Sequence, residues 1–268
     1  MNSSMNYAEV CKDVRSIVLE TARYIESELR PNSGIPKEAK GRHNYVTYVD
    51  KNAEKLLVEK LSELLPESGF IAEEGTSDKK GERYNWVIDP IDGTTNYIHG
   101  LPPFAISVGL MEDEEVVVGV IYEIGLHECF YAWKDGPAFL NNEEIHVTDT
   151  SKVSDALIAT GFPYTDYKYL DGFMESIRYF MKNSHGLRRL GSAATDIAYT
   201  ACGRFDGFYE YGLHPWDVAA GSLILKQAGG KVGNFDGEQD YLFSEEIIAT
   251  NLAIFNEFQQ VIRKLIRE

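Results

Sequence analysis

The segment "NWVIDPIDGTTNYIHG" (85–100) brings two carboxylates, Asp89 and Asp92, to the end of an apolar run and follows them with Gly93, Thr94 and Thr95. Carboxylates held close together repel one another, and a divalent cation bound between them removes that penalty. Gly93 permits close backbone approach, and a helix starting here turns unpaired N–H groups and a positive dipole end toward an anion. A purely local reading is also open: Asp89 caps a turn, Asp92 is solvated, and the two threonines are N-caps. Two further acidic positions could join the first pair. Glu73 and Glu74 end the run "GFIAEEG"; neighbours on a strand point to opposite faces, so one of them can share a site, and Glu73 is preferred because Glu74 abuts Gly75. Asp217, behind Pro215 and Trp216, opens an apolar helix, where a carboxylate is either a cap or a ligand.

Elements must bring these positions together. Val10, Val14, Ile17, Val18, Ile25 and Leu29 recur at helical spacing, as do Ala53, Leu56, Leu57, Leu61, Leu64 and Leu65, which predicts two opening helices. The polar, Gly- and Pro-containing stretch between them, "RPNSGIPKEAKGRHNY", reads as a mobile loop. Strands are predicted over 70–73, 86–89, 104–111, 116–124 and 128–133, with the acidic turn at 112–115 making a hairpin. After Thr148 strands and helices alternate: "ALIATGF" as strand, 171–181 as helix, Ser192 capping the next helix, "FDGFYEYG" as strand, a helix ending at Gly229-Gly230, a strand over 247–250 and a last amphipathic helix. The expectation is an α+β half over residues 1–147 and an α/β half over 148–268, closely packed as one catalytic unit, with helices and sheets layered on one another.

With 26 Lys+Arg against 42 Asp+Glu the formal charge is −16, which disfavours direct contact with nucleic acid or anionic lipid. The three cysteines are scattered and form no CxxC, so neither a disulfide framework nor a thiolate zinc site is expected. No run approaches the roughly 20 apolar residues a membrane span needs, and the N-terminus has no apolar leader core. A cytoplasmic protein is the expectation.

Taken in order, "IAEEG", "WVIDPIDGTTNYIHG", "GSAATD" and "YEYGLHPWDVAAGSLILKQAGG" resemble the inositol monophosphatase family of Mg²⁺-dependent, lithium-sensitive phosphatases, and the resemblance extends over nearly the whole chain. It implies an αβαβα sandwich of the inositol monophosphatase/fructose-1,6-bisphosphatase type and hydrolysis of inositol monophosphate by attack of activated water on phosphorus. It also implies two or three Mg²⁺ ions: one held by Glu73, Asp89 and the Ile91 carbonyl, one by Asp89, Asp92 and Asp217, and a weaker third near Glu73. Asp50 would pair with Thr94, and with Glu73 this pair would orient and deprotonate the water. Gly93, Thr94 and Thr95 would cradle phosphate, while Asp92, Ser192, Ala193, Glu210 and Asp217 would meet the organic half. Glu210 is alternatively an exposed strand carboxylate, and His214 reads as structural. In the loop before Asp50, Lys40 and Asn44 depart from the lysine and aspartate that many members carry.

The same scaffold in relatives dephosphorylates NADP(H), fructose 1,6-bisphosphate or 3′-phosphoadenosine compounds. Arg188 and Arg189 could pair with a second phosphate, though ordinary surface charge is the preferred reading. A different class of function is a regulatory protein binding a transcription partner. A homodimer is expected from the resemblance.

Overall fold

The computed structural model describes residues 5–29, 37–39, 45–164 and 166–267. Helix α1 (Tyr7–Glu28) starts at its Asn6 cap and buries the stripe Cys11, Val14, Val18, Ala22 and Ile25. The two short strands β1 (Lys37–Ala39) and β2 (Tyr45–Thr47) pair antiparallel, so the stretch expected to be all loop holds β1 and ends on the first residue of β2; Lys40 and Asn44 lie outside the described residues. Helix α2 (Tyr48–Leu64) follows directly, its first turn closed by a reciprocal capping box between Thr47 and Asp50.

A seven-stranded sheet comes next, in chain order: β3 (Gly69–Ala72), β4 (Tyr84–Asp92), β5 (Ala105–Glu112), β6 (Glu115–Glu123), β7 (Glu128–Trp133), β8 (Ala138–Leu140) and β9 (Glu143–Glu144), with the short helix α3 (Thr94–His99) between β4 and β5. Strands β3 and β4 run parallel and every later pair is antiparallel. The remainder of the chain builds a five-stranded sheet from β10 (Leu157–Thr160), β11 (Gly186–Arg188), β12 (Gly207–Tyr211), β13 (Gly230–Gly233) and β14 (Glu246–Asn251), in the order β11-β10-β12-β14-β13. Its helices are α4 (Leu170–Asn183), α5 (Ala193–Ala201), α6 (Pro215–Gln227) and α7 (Phe255–Arg267).

Side-chain alternation along the strands sets the layers. Trp86, Ile88, Val108, Leu110, Val118 and Val120 face the apolar stripes of α1 and α2. Val87, Ala105, Ile121, Phe130 and Ala132 point the other way, into a core shared with α5, α6 and one face of the second sheet through Phe208, Ile247 and Ala249. The far face of that sheet, through Ile158, Tyr209, Tyr211 and Ile248, packs on α4 and α7. The result is the layered α/β/α/β/α sandwich. Helix α6 is buried over Val218–Leu225, with small side chains at Ala219, Ala220, Gly221 and Ser222. A helix in the middle layer of a sandwich touches a sheet on each side, which small residues allow.

Candidate active site

On a regular strand Asp89 and Asp92, three apart, would point to opposite faces. They do not, because β4 continues through Pro90 with one extra residue: Asp89 pairs with Ser107 and Asp92 with Ala105, so three steps on β4 match two on β5. This bulge turns both carboxylates to the face of Val87, toward α6. The strand was expected to end near Asp89 and turn; the two side chains converge through the bulge instead. Proline is tolerated there because a bulge interrupts the ladder that its missing N–H would have joined. Glu73 follows β3 and keeps the ladder through its N–H to the Ile88 carbonyl (3.2 Å). It lies two residues beyond Ile71 and lines the same cleft as Asp89 and Asp92.

Helix α2 reaches this face twice. Asp50 is fully buried; one oxygen accepts from the Thr47 N–H (2.8 Å) and hydroxyl, and the other lies 3.0 Å from the Thr94 hydroxyl. That hydroxyl is also 3.0 Å from the Ile91 carbonyl, so Thr94 Oγ1 stands between a carboxylate and the backbone of the bulge. One turn later the fully buried Glu54 accepts the N–H groups of Glu74 and Thr76 on its two oxygens, each at 2.7 Å. It thereby clamps the loop that begins at Glu73. The sequence reading missed Glu54; the available signal was its place on the buried stripe with Leu57 and Leu61. Asn96 was missed as well: its amide donates to the Pro103 and Leu190 carbonyls (2.8 and 2.9 Å), tying α3 to the loop before α5.

The opposite wall comes from the second sheet. Ser192 caps α5 and donates its hydroxyl to Asp92 (2.6 Å), whose same oxygen accepts the Ala194 N–H at 2.7 Å. Asp217 sits in the first turn of α6 and accepts the His214 N–H (2.7 Å); the exposed His214 ring packs on Trp216 with centroids 4.7 Å apart. Glu210 is buried on β12, and a Cβ on Gly161 would lie 1.9 Å from its Oε1, so only glycine fits beside it. The reading of Glu210 as an exposed carboxylate therefore fails. Arg188 is exposed, but Arg189, expected on the surface, lines the cleft with Phe162 and Tyr164. Gly93, Thr94, Thr95, Ser192 and Ala193 line it too. Of the residues singled out in the sequence, Asp50 alone acts from behind the wall, through Thr94.

Asp89, Asp92 and Asp217 each offer an oxygen within 4.8 Å of the others. Burial, then the charges of Glu73, Asp92 and Asp217, push the Asp89 carboxyl well above its ordinary range. Asp92 rises to about 6 through burial, against the hydrogen bonds from Ser192 and the Ala193 and Ala194 backbone. Asp217 rises through burial and then the charge of Asp92. Glu210 rises to about 8, again through burial first and Asp92 second. Asp196 on α5 was not anticipated: it is buried, its Oδ1 has no hydrogen-bond partner among the described residues, and burial with Glu210 nearby raises it strongly. Three converging oxygen donors that repel one another without a cation between them fit a hard divalent ion.

Residues 6–267 match the family model described as the inositol monophosphatase family. The chain is 36% identical over 247 residues to an inositol-1-monophosphatase of Mesorhizobium japonicum, covering 92% of this chain and 93% of that one. It is 37% identical to a fructose-1,6-bisphosphatase/inositol-1-monophosphatase of Thermotoga maritima (85% and 86% covered) and 38% identical to the Nus factor SuhB of Escherichia coli (81% and 82%). Among solved structures, inositol monophosphatase from Anabaena superposes with a TM-score of 0.86 at 32% identity, over 97% of each chain.

Proposed function

From the premise that the chain belongs to the inositol monophosphatase family, and is thus a phosphatase of that superfamily, we propose that it hydrolyses inositol monophosphate with Mg²⁺ as cofactor. The observation that carries this reading is the convergence of Asp89, Asp92 and Asp217 within 4.8 Å on the bulged face of β4, beside Gly93–Thr95. Asp89, Asp92 and Asp217 would hold one ion, and Glu73, Asp89 and the Ile91 carbonyl another. When bound, Mg²⁺ there neutralises charge on the phosphoryl group and on the attacking and leaving oxygens.

The chain's own groups supply the rest. Thr94 Oγ1 stands 3.0 Å from Asp50 Oδ1, so it can take a proton from an attacking water as it hands its own to Asp50. Burial raises the Asp50 carboxyl, which makes it a better proton acceptor than an exposed aspartate. Glu73 holds the same water from the other side. The Gly93 and Thr94 backbone and the Thr95 side chain seat the phosphate. On the organic side, Ser192, Ala193, Asp92 and Asp217 surround the ring, and Glu210 binds vicinal hydroxyls: a carboxyl buried without a hydrogen bond among the described residues gains most from ligand hydroxyls. A homodimer is part of this reading, as are the cytoplasm, in keeping with three unpaired cysteines, and lithium sensitivity. Among the described residues no helix is long and apolar enough to cross a membrane.

The test is phosphate release with and without Mg²⁺ from inositol 1-phosphate, NADP⁺, fructose 1,6-bisphosphate and 3′-phosphoadenosine 5′-phosphate. Mg²⁺-dependent preference for inositol 1-phosphate supports the reading, and preference for another ester reassigns the substrate. The likeness to the Nus factor of E. coli favours a second reading, a transcription partner bound by the same fold. Silence across the panel together with stoichiometric capture of such a partner would establish it.

A further inference from the structure

A second pocket, of about 220 Å³, opens where α1 meets β7 and β8. On its helix side stand Ala8, Lys12 and Arg15, one stripe of α1, and on its sheet side Tyr131 and Trp133 of β7 with Phe139 of β8. The three rings belong to the face of the seven-stranded sheet that packs on α1 and α2, opposite the face that carries the cleft. The two sites share no lining residue among those described.

The floor of this pocket is aromatic. Tyr131 and Phe139 are cross-strand partners whose ring centroids lie 5.1 Å apart with planes at 17°, and Phe139 and Trp133 lie 5.8 Å apart at 21°. Near-parallel rings make a flat apolar surface, and Trp133 and Phe139 remain partly exposed on it, since Ala8 brings only a methyl group to the helix side. The walls carry positive charge. The Arg15 guanidinium stacks on Tyr131, with Cζ 3.7 Å from the ring centroid, and its Nη2 donates to Asn142 Oδ1 (2.8 Å), which also accepts the Tyr131 hydroxyl (3.2 Å). Its Nε is buried with no hydrogen-bond partner among the described residues. Lys12 is exposed beside it. In a chain with 42 Asp+Glu and a formal charge of −16, cations ordinarily find carboxylates, yet among the described residues neither Lys12 nor Arg15 makes an ion pair and no carboxylate lines the pocket.

We propose that this pocket binds a small aromatic carboxylate, its ring laid against Phe139 and Trp133 and its charge beside Arg15 and Lys12. A flat ring gains both buried apolar area and offset stacking on this floor. The carboxylate brings the counter-charge that the protein withholds, and a guanidinium already fixed by Tyr131 and Asn142 loses little freedom in meeting it. The assignment does not depend on the reading of the cleft.

The test is titration calorimetry of the full chain in Mg²⁺ with 2-naphthoate as probe, set against uncharged 2-naphthylmethanol and the saturated acid decahydro-2-naphthoate. One saturable site per chain is expected for 2-naphthoate. The alcohol should bind about tenfold more weakly or worse, the size of a charged hydrogen bond, and the saturated acid about threefold more weakly or worse, the size of a ring-stacking preference. Arg15→Met should weaken 2-naphthoate about tenfold or more, and Lys12→Met about two- to fivefold, as befits an exposed charge. Ala8→Leu keeps a good helix former, leaves Arg15 and its partners untouched and fills the pocket, so it should abolish binding at an unchanged melting temperature; it decides the matter if Arg15→Met is poorly folded. Absence of saturable binding in wild type, equal affinity for either analogue, or full affinity in Ala8→Leu or in folded Arg15→Met would each overturn the assignment.

Discussion

The two walls of the cleft are built to different standards of completion. On the wall of the seven-stranded sheet the carboxylates are tied down by the protein: Asp50 by Thr47 and Thr94, Glu54 by the Glu74 and Thr76 N–H groups, Asp89 by the Ile91 N–H at 2.8 Å. On the wall of the five-stranded sheet, charged groups are left short of partners among the described residues: Arg189 Nε and Asp196 Oδ1 have none there, and the Glu210 side chain has no hydrogen bond there. Preorganised groups lower a barrier because they need no rearrangement when charge develops. Unsatisfied groups destabilise the empty protein and gain from a ligand that completes them. Under the proposed function this contrast would put the chemistry on the first wall and selection of the organic half on the second.

The largest effect expected is at the junction of the walls. Asp92→Asn keeps the shape and an acceptor for Ser192 and Ala194, but removes a charge from the proposed ion site. Turnover should fall by about a thousandfold or more, the scale of losing a principal electrostatic group, while the melting temperature changes little or rises. Wild-type turnover in this variant would break the division between the walls. A smaller loss tests whether fixing a loop matters as much as owning a ligand. Glu54→Gln retains one acceptor and presents an NH₂ group to a backbone N–H of residue 74 or 76. An expected fall of about 10- to 100-fold in Mg²⁺ affinity, the usual range for supporting contacts, would be read by calorimetry. Faster hydrogen exchange at the Glu74 and Thr76 amides should accompany it, whereas lost stability with unaltered metal affinity would make Glu54 a fold residue only.

How far these walls could be read from the sequence differs as well. Asp89, Asp92 and Asp217 stand out because each ends or begins an element, where a side chain is positioned by the element's geometry. The bulge was not legible: Pro90 reads as a strand stop, and only pairing with β5 shows the strand going on to Asp92. Glu54 was hidden for a related reason, since a glutamate on a helix is ordinarily solvated and its burial comes from a loop twenty residues away. Arg189 was read together with Arg188, with surface charge preferred over pairing with a second phosphate. Extended backbone sends neighbours to opposite sides, so the end of β11 leaves Arg188 outside and turns Arg189 into the cleft. The layers themselves were readable, because period-2 and period-3.6 patterns report which faces are buried without reference to distant partners.

The selecting wall makes the smallest and most specific prediction. Glu210→Gln should raise KM for inositol 1-phosphate about tenfold, a hydrogen-bond-sized effect, and change kcat less. It should also alter how the metal-free protein responds to pH. The Glu210 carboxyl stands at about 8 in the folded protein against an ordinary 4.5, so between these values the native state binds a proton that the unfolded state has released. Its favourable contribution is therefore complete below about pH 4.5 and is lost as pH rises through 8, since stability falls with pH wherever the native state binds more protons. Glutamine has no proton to lose. In chelator-treated samples the melting temperature of wild type should thus decline from pH 5 to pH 9 relative to that of Glu210→Gln. Parallel curves would mean that Glu210 is already ionised and satisfied in the empty cleft, and the contrast between a finished wall and an unfinished one would then rest on Arg189 and Asp196.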